Sequence, residues 1–184
     1  MSMTFKIEGL GDVTKAFDQL AEEIGDKKAT SKVLVPAARR AMMPVLAAAQ
    51  QNAPIDSGAL RLSLQVEARR PTSRDRRSKY ISGTDAVVAL VTTASGKKLE
   101  QMSTGKGLLR AKRKLAKLGG TAEQVAAFSG FTSDPRAIAQ EFGTAKMPAN
   151  PYLRPAIEAN TQTVVARLSE ALAQQINKYR KNTI

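Results

Sequence analysis

Glu141 and Glu158, on either side of a short proline-rich loop, form the carboxylate pair that stays open to acid–base chemistry. Little else in the chain could join them. It has no histidine and no cysteine, which excludes Ser-His-Asp and Cys-His machinery and zinc sites built on those ligands. No pocket motif accompanies the two acids, so they read as a helix-end glutamate and a surface glutamate. Gly105-Lys106-Gly107 has the flavour of a phosphate loop. It lacks the upstream glycine, the hydroxyl residue after lysine and a preceding buried strand. The chain is therefore not expected to be an enzyme, and no cofactor is expected.

The remaining chemistry is charge. The chain has 184 residues and a formal net charge of +13, and nearly all of the excess sits in two segments. Arg69 to Tyr80 holds Arg69, Arg70, Arg74, Arg76, Arg77 and Lys79 against Asp75. Gly96 to Gly120 holds Lys97, Lys98, Lys106, Arg110, Lys112, Arg113, Lys114 and Lys117 against Glu100. The rest of the chain is close to neutral, so the charge belongs to presented segments. Three readings stand: contact with DNA phosphates, docking onto an acidic protein surface, or a solvated face. Aromatic residues are missing from both runs except Tyr80 at one edge, which argues against stacking on single-stranded bases.

Those segments need a scaffold. The length suits a single domain over residues 1–184, with a basic hairpin loop at 69–80 and a basic insertion at 96–130. Aromatic residues make up only 4% and tryptophan is absent, so the core must be aliphatic and suits packed helices. The N-terminal residues contain no signal-peptide apolar run, and nothing approaches the ~18 apolar residues of a membrane span. A soluble α+β chain with no membrane partner is expected.

Phe5 to Glu8 alternates as a short strand. Asp12 should cap a helix running to Ile24, with Val13, Phe17, Leu20 and Ile24 inward and Gly25 as its stop. An alanine-rich helix over 29–52 should bury Val35, Ala38, Met42, Val45 and Ala49, with Pro36 in its first turn and a bend at Pro44. Ala53-Pro54 ends it, and Ser57-Gly58 begins a turn. Leu62, Leu64, Val66 and Ala68 alternate as a half-buried strand, paired antiparallel with a second strand over 85–93. The basic segment between them exceeds a tight turn and should be mobile or ordered by a partner. Within 96–130, Leu108, Leu115 and Leu118 could share a helix face, and residues 121–128 read as a capped short helix. A long helix should run from Leu153 to Lys181, with Ile157, Val164, Leu168, Leu172, Ile176 and Tyr179 along its apolar stripe.

Two stretches carry more than pattern. One is Asn52-Ala-Pro-Ile-Asp-Ser-Gly-Ala-Leu-Arg61. The other is Ala137-Ile-Ala-Gln-Glu-Phe-Gly-Thr-Ala-Lys-Met-Pro-Ala-Asn-Pro-Tyr-Leu-Arg-Pro-Ala156. Together they resemble the gene-product-ten family of Hong Kong 97-like siphophages, small neck or tail-completion proteins at the head–tail joint. The resemblance is best over 140–159, good over 53–61 and loose over the first helix; the basic insertion lies outside it. Ser57 stands where the family usually has threonine, and Tyr152 where it has phenylalanine.

The resemblance implies an α+β subunit of a closed ring, six copies favoured over twelve, joining the DNA-filled head to the tail. Its partners would be further copies of itself, a head-side connector or stopper, a tail terminator or tail tube protein, and phage DNA. Its place would be the virion neck or tail, with host cytoplasm during assembly. Glu141, Phe142, Gly143, Thr144, Tyr152 and Arg154 would then touch neighbouring subunits, and the two basic runs would touch protein or DNA. Against that stands a purely architectural reading: Phe142 in the core, Gly143 at positive φ, Thr144 capping the turn. Arg154 could pair with Glu158 or with Glu141. The rival of another class is a nonspecific nucleic-acid-binding protein.

Overall fold

The computed structural model describes residues 10–54, 58–94, 100–101, 103–128 and 136–183. The expected first strand at Phe5 to Glu8 and the turn residue Ser57 lie outside them. Helix predominates, with one two-stranded antiparallel sheet, so the class is α+β. The chain divides into two compact units. One comprises Met1–Pro44, Val66–Leu90 and Thr161–Ile184, the other Val45–Gln65 and Val91–Asn160.

The first unit is built on α1 (Leu10–Ile24), α2 (Asp26–Ala29), α3 (Val35–Ala41) and most of the long helix α9 (Leu153–Thr183). Asp12 lies inside the first turn of α1 and does not cap it, because the helix begins two residues earlier. Its end falls where expected: Gly25 takes φ 85°, and its N–H donates to Ala21 O at 2.8 Å. Between α2 and α3 the chain makes a π-helical turn, Thr30–Leu34, in which Val35 N–H reaches back to Thr30 O. The turn widens just ahead of Pro36, which has no N–H to offer an α-helical ladder.

The buried face here is Val33, Ala37 and Ala41, not the expected Val35, Ala38 and Met42, which are half-buried. An alanine-rich segment fits on either face, so its periodicity under-determines the stripe. Val33 and Ala37 pack with Leu20, Ala171, Leu172 and Ile176, and Val13, Phe17, Ile24, Leu168 and Tyr179 close around them. The expected break near Pro44 is a turn at Met42, leaving Pro44 harmlessly in the first turn of α4 (Met43–Asn52).

The second unit centres on Leu62, Ala94, Ala111, Leu115 and Phe128, flanked by Leu108, Leu118 and Val125. Leu62 lies in a short helix α5 (Ala59–Ser63) that precedes β1 (Leu64–Arg69), so the first strand starts two residues later than its alternation implied. β2 spans Val88–Thr93, leaving Asp85 in the connection. Ala94 N–H continues the ladder onto Ser63 O at 2.7 Å, which sets the start of β1 opposite the end of β2.

Helix α6 (Gly105–Lys117) places Leu108, Leu115 and Leu118 on one face as expected. Leu115 is fully buried, so the segment read as an insertion supplies the centre of a core. Helix α7 (Ala122–Ala127) has the full capping box: Thr121 Oγ1 accepts from Gln124 N–H, and Gln124 Oε1 accepts from Thr121 N–H.

Candidate functional site: two motif knots and two basic surfaces

Helix α8 (Arg136–Phe142) ends at Gly143, whose φ is 76° and whose N–H donates to Ala139 O at 2.7 Å. A Cβ there would stand 2.9 Å from Ala149 N, so glycine is required by both conformation and space. Thr144 and Met147 close a tight bridge, and Thr144 Oγ1 also accepts from Lys146 N–H. Asn150 N–H then returns to Gln140 O at 2.7 Å, which brings the chain back to α8 as α9 begins.

Glu141 holds that return. It lies at the helix end expected for it and is only 3% exposed. Its carboxylate accepts from the N–H groups of Tyr152 (2.8 Å), Leu153 (2.9 Å) and Arg154 (3.2 Å), the donors a helix N-terminus leaves without partners. Arg154 completes the knot. Its Nε reaches Glu141 Oε1 at 3.1 Å and its Nη2 reaches Glu141 O at 2.8 Å, so its partner is Glu141 and not Glu158. Burial raises the Glu141 pKa, but the three N–H donors and the guanidinium outweigh it and hold the carboxyl below its ordinary value. Both oxygens are occupied, by the three backbone donors and by Arg154.

The architectural reading held for Gly143 and failed for Phe142, which is 67% exposed. Its ring stacks under the Arg154 guanidinium, 5.3 Å from ring centroid to Cζ. Tyr152 is the reverse case. It is a candidate contact residue by sequence, and its side chain is buried. One turn before Phe142 stands Ile138, 71% exposed and absent from the sequence expectations. Beside them is a cavity of about 140 Å³ lined by residues that include Val91, Thr93, Tyr152 and Leu153.

The upstream motif forms a second knot around Arg61, a buried residue that sequence reasoning did not single out. Its Nη2 donates to Gln51 O at 3.0 Å and Ala53 O at 2.7 Å, at the end of α4. Its Nη1 donates to Leu118 O at 2.8 Å, at the end of α6. One guanidinium thus caps two helix C-termini, where carbonyl dipoles favour a cation. Burial lowers its pKa, and Nε has no partner among the described residues. The signal for it was a lone charge inside Ala59-Leu60-Arg61-Leu62. Gly58, at φ 71°, keeps its Cα against Leu115, where any Cβ would clash.

The basic runs differ in how much of their charge stays available. In residues 70–87, Asp75 binds the Arg69 guanidinium through both oxygens and also accepts from Thr72 N–H at 2.7 Å. Glu67 takes Arg69 Nε at 2.6 Å. These bonds push the Asp75 carboxyl well below, and the Arg69 guanidinium above, their ordinary values. Arg76 donates to Ser82 O and Gly83 O. The segment expected to be mobile or partner-ordered is thus tied by its own side chains, because an acid and several turn carbonyls lie within reach. Arg69 and Arg76 are spent internally. Arg70, Arg74, Arg77 and Lys79 stay exposed, and Lys79 Nζ sits 5.0 Å from the centroid of the exposed Tyr80 ring. On α6, Lys112 donates to Ala126 O at 3.0 Å, whereas Lys106, Arg110, Arg113, Lys114 and Lys117 are exposed.

Among the described residues no three acids gather into a metal site, and no helix is long and apolar enough to cross a membrane. A separate cleft of about 320 Å³, lined by Arg40, Arg167, Glu170, Ala171 and Gln174, offers a single carboxylate.

No curated protein and no solved structure matches the chain. A family model does, over residues 14–118, with the description "Bacteriophage HK97-gp10, putative tail-component". The matched range takes in the Arg61 motif and runs to the end of α6. It stops before the Glu141 motif, where the resemblance was best. Matching more than half of its length, the chain belongs to the HK97-gp10-like family of bacteriophage tail components.

Proposed function

We propose that this phage tail component works as one segment of a closed ring at the neck, completing the tail and joining it to the DNA-filled head. Six copies are favoured over twelve. Its neighbours would be a head-side connector or stopper and a tail terminator or tube protein. The observation that carries the reading is the pair Ile138 and Phe142, exposed on one face of α8 while Glu141 between them is locked into the fold. Exposed apolar side chains on a fixed helix, with an arginine stacked on the aromatic ring, have the composition of an interface anchor. Cyclic rings use heterologous contacts, so this knob would meet a different surface on the next subunit. The exposed cations of the 70–81 connection, with Tyr80 among them, are a second docking surface suited to an acidic neighbour.

Replacing Ile138 and Phe142 together by aspartate tests the knob. The unfolding temperature should stay within a few degrees of wild type, since both side chains already face solvent. Light scattering should show wild-type mass rising with concentration toward a closed ring while the double variant remains a monomer. A variant that assembles like wild type would remove the knob from the ring contact.

A further inference from the structure

Helix α6 buries its leucine face and presents a row of cations on the other. Lys106, Arg110, Arg113 and Lys117 follow at i, i+4, i+7 and i+11, and all four are exposed. Like charges three and four residues apart on a helix repel, at roughly 0.2–0.5 kcal/mol per pair. Lys106 also sits in the first turn, at the end of the dipole that disfavours a cation. At the other end Lys117 lies in the last turn, where the dipole favours it, but no acid among the described residues relieves the repulsion along the row. The helix contains no acidic residue, and no carboxylate lies within 4 Å of these four groups among the described residues. The 70–87 connection is the contrast, since Asp75 and turn carbonyls absorb part of its charge.

We infer that the α6 row is a binding surface for the phosphate backbone of duplex DNA, read without regard to sequence. From first to last cation the row is about 16 Å long on a 1.5 Å rise per residue. Duplex DNA over that length carries roughly ten phosphate charges at one per ~1.7 Å. The stripe is straight, purely cationic and free of aromatic residues, with only Leu109 exposed as a large apolar neighbour. An acidic protein partner would call for an apolar centre inside a charged rim, and this face offers Leu109 alone. The inference deepens the neck reading, in which DNA is at hand. It does not require a ring, so the two can fail separately.

The test uses the full chain and a short mixed-sequence duplex titrated from about 50 to 200 mM salt. Wild type should lose affinity steeply with salt. The variant K106Q/R110Q/R113Q/K117Q should bind more weakly, with its log–log salt slope reduced by about 3 to 4 units. The arm variant R74Q/R77Q/K79Q should keep the wild-type slope. Polyglutamate should compete poorly against the duplex. The α6 variant should unfold at or above the wild-type temperature at low salt, because repulsion has been removed, which separates lost binding from lost folding. Salt-insensitive wild-type binding, loss that follows the arm, or polyglutamate competing as well as DNA would each overturn the inference.

Discussion

Replacing Arg61 by methionine should lower stability by about 4 kcal/mol, a large share of the 5–15 kcal/mol that typically holds a domain together. Methionine can fill much of the buried space. It cannot donate, so the carbonyls of Gln51, Ala53 and Leu118 lose their partner together. A buried acceptor left unpaired costs about 1–3 kcal/mol, and two helix C-termini lose a cation at once. At this chain length the thermal midpoint should fall by roughly 8–16 °C. Lysine should recover less than half of the loss, because one ammonium cannot reach carbonyls at both helix ends with the reach of a guanidinium fork. A midpoint within 2 °C of wild type for Arg61→Met would show that the knot is ornamental.

The second large effect is expected at Glu141. Glu141→Ala removes the acceptor of three helix N-terminal N–H groups and the partner of Arg154, at a cost of about 3 kcal/mol near neutral pH. Glu141→Gln should lose about half as much, since an amide oxygen accepts without the charge. The pH dependence follows from the sign of the shift. The folded-state pKa lies below the ordinary 4.5. The stabilisation is therefore complete above that value and lost as pH falls below it toward the folded pKa. The wild-type advantage over Glu141→Ala should accordingly be widest above pH 5 and shrink in acid. A gap that stays constant from pH 7 to pH 3 would mean that the carboxylate charge contributes nothing.

These two residues also mark where sequence reasoning stops. Local signals were legible: Gly25 as a helix stop, the Thr121–Gln124 capping box, the leucine face of α6 and the span of α9 each depend on neighbours within a few residues. Arg61 and Glu141 act on partners up to 57 and 13 residues away, and no periodicity reveals such a partner. Hence Glu141 read only as a helix-end acid and Arg61 as part of a pattern. Of the two readings of Phe142, contact and core, the core one failed for a related reason, since an isolated aromatic residue is read as core. Here the helix face turns so that Glu141 points in and Phe142 out. Alanine-rich 33–49 misled because alanine carries no preference between faces.

The two motifs that carried the family resemblance are thus knots that fix backbone. The surfaces available to partners, Ile138 with Phe142 and the α6 row, lie beside them. The membership gives a tail component, and the proposed neck position rests on those surfaces. It is tested most directly by counting the chain in purified phage particles, by quantitative mass spectrometry against the portal protein. The account predicts a fixed ratio, equal to one closed ring per particle. Absence of the chain from particles that assemble normally would contradict it.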